Sequence, residues 1–375
     1  MLHGRLLSLK QDKDYLHYKV TWPETASPPI SPSSNKGGLD TVISDDTEDL
    51  LKHYFSLKYD LTSLYDQWSE SDPNFGKKAP KFTGIRILSQ DAWEALISFI
   101  CSSNNNISRI SQMVLINLLD DYFSPANIPQ VLKLCKYYGP PIGQIGDEAF
   151  HDFPDPQALV GEKVEAHLRE LGFGYRARYI VETARLVSED KPEGWLESLA
   201  NPGNPGWLQA KPSSDDAQVS TYKYAHEQLL LLSGVGPKVA DCVCLMGLGW
   251  GEAVPVDTHM WQIAQRDYNF GKAKAKTFSR AMYDSVGDHF RNIWGPQAGW
   301  AHSVLFTANL KSFSEQAAAK IEDADVKVKV EEEQIVSKAL PRSRKRQISV
   351  VETVKIEQQV AEGPVRNLRK RKIRE

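Results

Sequence analysis

The chain is poor in sulfur, in net charge and in long apolar runs, and each shortage removes a class of protein. Its four cysteines, Cys101, Cys135, Cys242 and Cys244, are scattered through 375 residues in neither a disulfide framework nor a metal-binding tetrad. A reducing compartment and the lack of an iron-sulfur cluster follow as expectations. No uncharged apolar stretch is long enough for a membrane span, and no basic leader precedes an apolar run. Forty-five Lys and Arg against 48 Asp and Glu leave a net charge of −3, so attraction to a polyanion needs a local basic surface.

Charge and composition divide the chain. Residues 321–375 hold 14 Lys and Arg against 10 Asp and Glu, which leaves the rest net acidic. Mixed charge, few aromatics and no sustained apolar period predict a disordered tail over 314–375. Within it, Arg342–Arg346 and Arg369–Lys372 are candidates for nuclear import or nucleic-acid contact, or plain solvated charge. At the other end, Tyr15–Trp22 alternates as a strand does, and a Pro-, Ser-, Gly- and Asp-rich loop fills 23–46. Residues 1–90 read as a β-containing domain, with Lys81–Leu88 returning to it, and 91–313 as helical. A further helix and a loop lie within 111–145. The stretch between Ser188 and Ser220, with two Asn-Pro-Gly triplets, reads as an insertion away from the core.

The most informative segment is Leu229–Tyr268. Its centre, Leu232-Ser233-Gly234-Val235-Gly236-Pro237-Lys238, is a two-glycine turn between apolar helical runs, the hairpin as a whole spanning 222–249. Pro237 suits a first helical position because it has no amide hydrogen to lose. Amides exposed at such a helix start could hold a phosphate, although a GxG turn between two packed helices would read the same way. Lys238 falls in the first helical turn, where the positive helix end and an apolar surrounding would favour a free amine nucleophile. Asp257 follows Val254-Pro255-Val256 and stands where it can cap a helix from Thr258 while presenting a carboxylate oxygen. A surface lysine and an ordinary capping aspartate are the plain alternatives.

Four motifs in one order give these residues a context. GVGPKVADCVCLM with VPVDTHMWQIAQRDY, the Ser102–Arg109 segment, the Leu171–Tyr179 segment and Trp294–Ala301 together resemble the eukaryotic 8-oxoguanine DNA glycosylases, over about residues 5–313. The resemblance implies an α+β, mostly helical fold: a helix-hairpin-helix glycosylase with an N-terminal antiparallel β domain. It also implies a nuclear, monomeric base-excision enzyme acting on damaged double-stranded DNA, without membrane association. Such an enzyme excises 8-oxoguanine opposite cytosine through a lysine Schiff base and cleaves the abasic site by β-elimination. A glycosylase with another lesion preference, or a weak or inactive damage-binding form, are the alternatives.

By the same resemblance Lys238 and Asp257 are catalytic, while Cys242, His302, Phe306, Pro255 and Met246 line the base pocket. Asn104, Arg109, Tyr175 and Arg176 meet the orphaned cytosine and the duplex, with Tyr175 and Arg176 exposed on their turn. Gly234, Gly236, Val239 and His259 face the DNA backbone. Carbonyls of Leu230, Leu232 and Val235 hold a structural monovalent or divalent cation, and no cofactor is required. Cys242, four residues after Lys238, shares its helical face, so a thiolate–ammonium pair that senses the base is one reading and an inert buried thiol the other.

Two departures carry expectations of their own. The family's β domain begins upstream of the position Met1 matches, and one earlier strand there supplies a base-reading carbonyl. That strand has no counterpart here, which predicts an unpaired sheet edge and a shortened or alternative start. His302 stands where the family has glutamine. A histidine keeps one donor and one acceptor, but its charge changes near pH 6 to 7, so base recognition is expected to be weaker or more pH-sensitive, and His302→Gln to raise activity.

Overall fold

The computed structural model describes residues 2–23, 45–79, 82–103, 130–207, 220–271 and 279–309, and the backbone of 351–355. Strands β1 (Leu6–Gln11) and β2 (Tyr15–Thr21) precede helices α1 (Thr47–Tyr54), α2 (Leu61–Ser71), α3 (Pro73–Lys78) and α4 (Ala92–Ser102). After α5 (Gln130–Tyr138) come β3 (Pro141–Ile145) and β4 (Glu148–His151), then α6 (Val164–Glu170), α7 (Arg176–Arg185) and the short α8 (Trp195–Ser198). The remaining helices are α9 (Tyr222–Leu229), α10 (Pro237–Met246), α11 (Thr258–Asp267), α12 (Arg280–Trp294) and α13 (Ala298–Asn309), and β5 is Val351–Lys355. The fold is mostly helical with a small antiparallel β domain.

In that domain β1 and β2 pair with Leu6 opposite Thr21 and Gln11 opposite Leu16. Asp12 closes the turn by accepting the amides of Asp14 and Tyr15. Strand β5 lies antiparallel on the other side of β2, Tyr15 opposite Lys355. Strand β2 is therefore paired on both sides and β1 on one side only among the described residues, and five residues of the tail have regular structure. The basic clusters at 342–346 and 369–372 lie outside the described residues, as does nearly all of the 23–46 loop.

Helix starts follow local chemistry. Asp91 caps α4 by accepting the amide of Glu94 at 2.9 Å, and Ser279 caps α12 through Met282 at 3.3 Å. The helical core is aromatic: Trp68, Phe75, Phe290, Trp294 and Trp300 are almost fully buried, with the Phe290 and Trp294 rings stacked at 4.5 Å. Each buried indole finds an acceptor, as a desolvated N–H requires. Trp68 reaches the Trp294 carbonyl, Trp294 the Asp72 carboxylate, and Trp300 the Ile85 carbonyl.

Three sequence expectations are corrected. Residues 82–84 form a bend and turn, with Gly84 at φ +83°, and 85–88 carry no regular structure, so this described part of Lys81–Leu88 joins no sheet. Beyond Gly139, where a loop was expected, β3 and β4 form a hairpin; its β-bulge and half-exposed faces blur the alternation. The segment after Ser188 is no outlying insertion in its first half. Leu196, Leu199 and Ala200 are buried in the core, Trp250 donates to the Leu199 carbonyl at 2.9 Å, and Asn201 takes the Leu248 carbonyl at 2.8 Å.

The hairpin depends on one glycine. Gly234 has φ +78°, and a Cβ there would lie 2.7 Å from the Tyr179 ring on α7. Gly234→Ala is expected to lose roughly 1–2 kcal/mol from the left-handed backbone alone, and more from the clash. Thermal unfolding measures it; a melting temperature equal to wild type would contradict this packing.

Candidate active site

The site forms where the two-glycine turn delivers α10 against the loop entering α11. Gly236 is extended at φ −93° and ψ 177°, and Pro237 opens the helix, which puts Lys238 in its first turn. Asp257 is the N-cap of α11: one oxygen accepts the Met260 amide at 2.9 Å and the other the Lys238 ammonium at 3.1 Å. The loop between them is held tightly, since Pro255 is buried and Gly299 of α13 packs so closely that a Cβ would lie 2.2 Å from the Ala253 carbonyl.

Electrostatics fix the pair's ionic form. Burial opposes ionisation of Asp257, but the Lys238 charge and the bonds from the Met260 amide and Lys238 outweigh it and hold the carboxyl below its ordinary range. The pair's contribution is thus complete above the ordinary aspartate range and is lost only as pH falls through that depressed value. The expected apolar surrounding of Lys238 is not found. Its side chain is 51% exposed, that of Asp257 17%.

The base-pocket candidates converge here. His302 is buried on α13, its ring 6.0 Å from Phe306, whose other edge meets His259 at 6.1 Å. Phe306 and Met246 are half-buried, and Cys242 is buried. Burial favours the inert-thiol reading of Cys242 and corrects the expectation of a titrating His302. It pushes the Cys242 thiol up to about 12 against the opposing charge of Lys238, which makes a thiolate unfavourable. It pushes His302 down to about 4, despite the raising influence of Asp257. Neither His302 ring nitrogen has a hydrogen-bond partner. A neutral imidazole thus keeps one donor and one acceptor, desolvated and unspent, within electrostatic reach of Lys238 and Asp257.

Duplex-contact candidates separate. Tyr175 is 46% exposed at the start of α7, in line with the exposure expected of it on this turn. Arg176 is not exposed: it is buried, stacks on Tyr175 at 4.8 Å and donates to the Ser103 carbonyl through Nε at 3.1 Å and through Nη2. Its hydrogen bonds brace the end of α4. Asn104 and Arg109 lie outside the described residues. His259 is exposed and Val239 half-buried beside the half-buried Gly234 and Gly236. Of the candidate cation ligands Leu230, Leu232 and Val235, the Leu232 carbonyl accepts the Val235 amide at 3.2 Å, which leaves its second lone pair. Among the described residues no cluster of His, Cys, Asp or Glu could hold a metal ion.

Sequence reading missed the groups that hold these elements. Ser233 in the turn donates to Glu182 of α7 at 2.7 Å and Thr183 donates to the Ser233 carbonyl at 3.1 Å. The helix whose start bears Tyr175 therefore also anchors the hairpin. Asp241, almost fully buried one turn beyond Lys238, was also missed; an acidic residue inside the apolar run Val239–Met246 was the available signal.

Comparison with known structures gives the class first. The apo 8-oxoguanine glycosylase/lyase of Clostridium acetobutylicum aligns over 81% of this chain and 85% of its own, with TM-score 0.53 and 23% identity. The same protein in complex with double-stranded DNA containing cytosine opposite 8-oxoguanine aligns over 82% and 98%, with TM-score 0.54 and 22% identity. The fold is therefore that of the helix-hairpin-helix glycosylases. Sequence then gives the family. Residues 1–96 match the 8-oxoguanine DNA glycosylase N-terminal domain, and 97–285 the HhH-GPD superfamily of base excision DNA repair proteins. The N-glycosylase/DNA lyase of Saccharomyces cerevisiae is 43% identical over 69% of this chain and 66% of its own length. For the N-glycosylase/DNA lyase OGG1 of Arabidopsis thaliana the values are 34%, 74% and 68%. The chain belongs to the HhH-GPD superfamily, in its branch of 8-oxoguanine N-glycosylase/DNA lyases, and it spans about two thirds of the length of these relatives.

With His302 neutral throughout the range of about pH 5.5 to 8, wild type and His302→Gln are expected to give pH–rate profiles of the same shape in single-turnover excision. A wild-type limb near 6.5 that the substitution removes would contradict the burial of this ring.

Proposed function

We propose that the protein is a bifunctional base-excision repair enzyme that removes 8-oxoguanine from duplex DNA and then nicks the strand at the resulting abasic site. The observation that carries this reading is the contact of Lys238 with Asp257 at 3.1 Å, at the mouth of the helix-hairpin-helix. The family relationship supports it.

The exposed amides of the hairpin and the start of α11, with His259, would hold the phosphates flanking the target nucleotide. Tyr175 would fill the space the extruded base leaves, offsetting the few kcal/mol that unstacking costs. The purine would enter beside Phe306, with Pro255, Met246 and Cys242 as apolar walls. The unspent donor and acceptor of His302 would meet its polar edge. A cation on the carbonyls of Leu230, Leu232 and Val235 would add positive charge beneath a phosphate.

Chemistry then needs an amine and a fixed negative charge. Once deprotonated, Lys238 attacks C1′ of the deoxyribose; the new C–N bond forms as the N-glycosidic bond breaks and its electron pair leaves with the base. The carboxylate of Asp257 stabilises the positive charge that develops on the sugar. Ring opening gives a lysine Schiff base, whose loss of a C2′ proton expels the 3′ phosphate in β-elimination. Damaged double-stranded DNA is the partner, the protein acts as a monomer, and the nucleus is its place of action.

An excision and nicking assay on duplexes bearing 8-oxoguanine opposite cytosine tests the proposal, with other lesions run beside it. Lys238→Gln is expected to abolish both products. Asp257→Asn should bind the duplex within about threefold of wild type yet lose on the order of a hundredfold or more in rate. Wild-type turnover by Lys238→Gln, or excision confined to a different lesion, would overturn it.

A further inference from the structure

The buried carboxylate of Asp241 lies on the inner side of α10, only 1% exposed, and binds nothing that the proposed reaction uses. Its oxygens accept the hydroxyls of Tyr222, from α9, at 2.5 Å and of Tyr283, from α12. Each hydroxyl already receives an N–H. Arg291 donates to the Tyr222 oxygen at 3.3 Å, and the backbone amide of Val256 donates to the Tyr283 oxygen at 3.3 Å. Both tyrosine protons are therefore directed at Asp241. Its carboxylate form is the one in which every hydrogen bond of the group is satisfied. Burial pushes the Asp241 carboxyl above its ordinary range, and His226, Tyr222 and Tyr283 oppose that shift.

The ends of this network are the neighbours of the catalytic pair. Val256 immediately precedes Asp257. His226 of α9 has Nε2 3.3 Å from the carbonyl of Pro237, which immediately precedes Lys238, and 3.6 Å from Asp241. A carbonyl only accepts, so Nε2 carries the proton, and that proton faces both the carbonyl and the carboxylate.

We infer that Asp241 and Tyr283 are positioning residues that set the reach between Lys238 and Asp257, by tying the backbone entering each of them to one buried carboxylate. Lys238 lies on the same helix as Asp241, so that end is held directly. Asp257 lies on a loop, and its register depends on the Tyr283 hydroxyl. The inference rests on the function proposed above.

Tyr283→Phe tests it, since it deletes the hydroxyl and keeps the ring; Asp241→Asn would risk the fold. The readout is the rate of borohydride trapping on a duplex with a preformed abasic site, which needs no recognition of a damaged base. A misplacement of about 1 Å is expected to slow trapping ten- to a hundredfold, while duplex affinity stays within about threefold. Tyr65→Phe, which deletes a hydroxyl bond of 2.8 Å to the Phe82 carbonyl outside the network, controls for lost stability and should trap at the wild-type rate. In an Asp257→Asn background Tyr283→Phe should change the residual rate by less than about twofold, because the group it positions has lost its charge. Trapping by Tyr283→Phe within twofold of wild type, a loss shared equally by Tyr65→Phe, or full multiplication of the two losses in the double variant would each overturn the inference. Absence of any adduct with wild type on the abasic duplex would instead overturn the proposed lyase function, and this inference with it.

Discussion

Asp257 spends its two oxygens on different tasks, and the rest of the site depends on that division. One oxygen caps α11 through the Met260 amide, which fixes the carboxylate to a rigid element; the other holds Lys238 at 3.1 Å. A cap whose side chain turned wholly inward would leave the lysine without an anion, and a free surface aspartate would not stay in register. The ion pair is partly exposed, so its value for stability is small. What it offers is preorganisation of charge at the place where a sugar cation would form.

The hairpin, the loop and the exposed Tyr175 share supports. Helix α7 carries Tyr175 at its start and anchors Ser233 through Glu182 and Thr183. Helix α13 carries His302 and Phe306 and packs Gly299 against the loop before Asp257. Elements that would touch the duplex and elements that would do chemistry are thus held by the same helices.

Much of this was legible in the sequence, for physical reasons that can be named. Glycine pairs, a proline at a first helical position and an aspartate before a helix leave local signatures, so the hairpin, α10 and the cap of α11 were placed within a residue or two. Burial leaves no such signature when it acts on polar residues. Arg176 reads as a surface arginine until the Ser103 carbonyl is found under it, and His302 reads as a pH-sensitive group until desolvation removes its charge. The Cys242 spacing correctly gave a shared face with Lys238, but only packing decides that the thiol keeps its proton. Asp241 illustrates the same limit: the partners that explain it come from α9, α12 and the loop before α11, distant in sequence and joined only by the fold.

The central claim is that a single lysine, set by the hairpin and held by the capping aspartate, is the covalent centre. Borohydride trapping on an 8-oxoguanine duplex, followed by protease digestion and mass spectrometry of the cross-linked peptide, measures it directly. The account predicts one sugar-derived adduct, on Lys238; an adduct on another amine, or excision without any adduct, would contradict it.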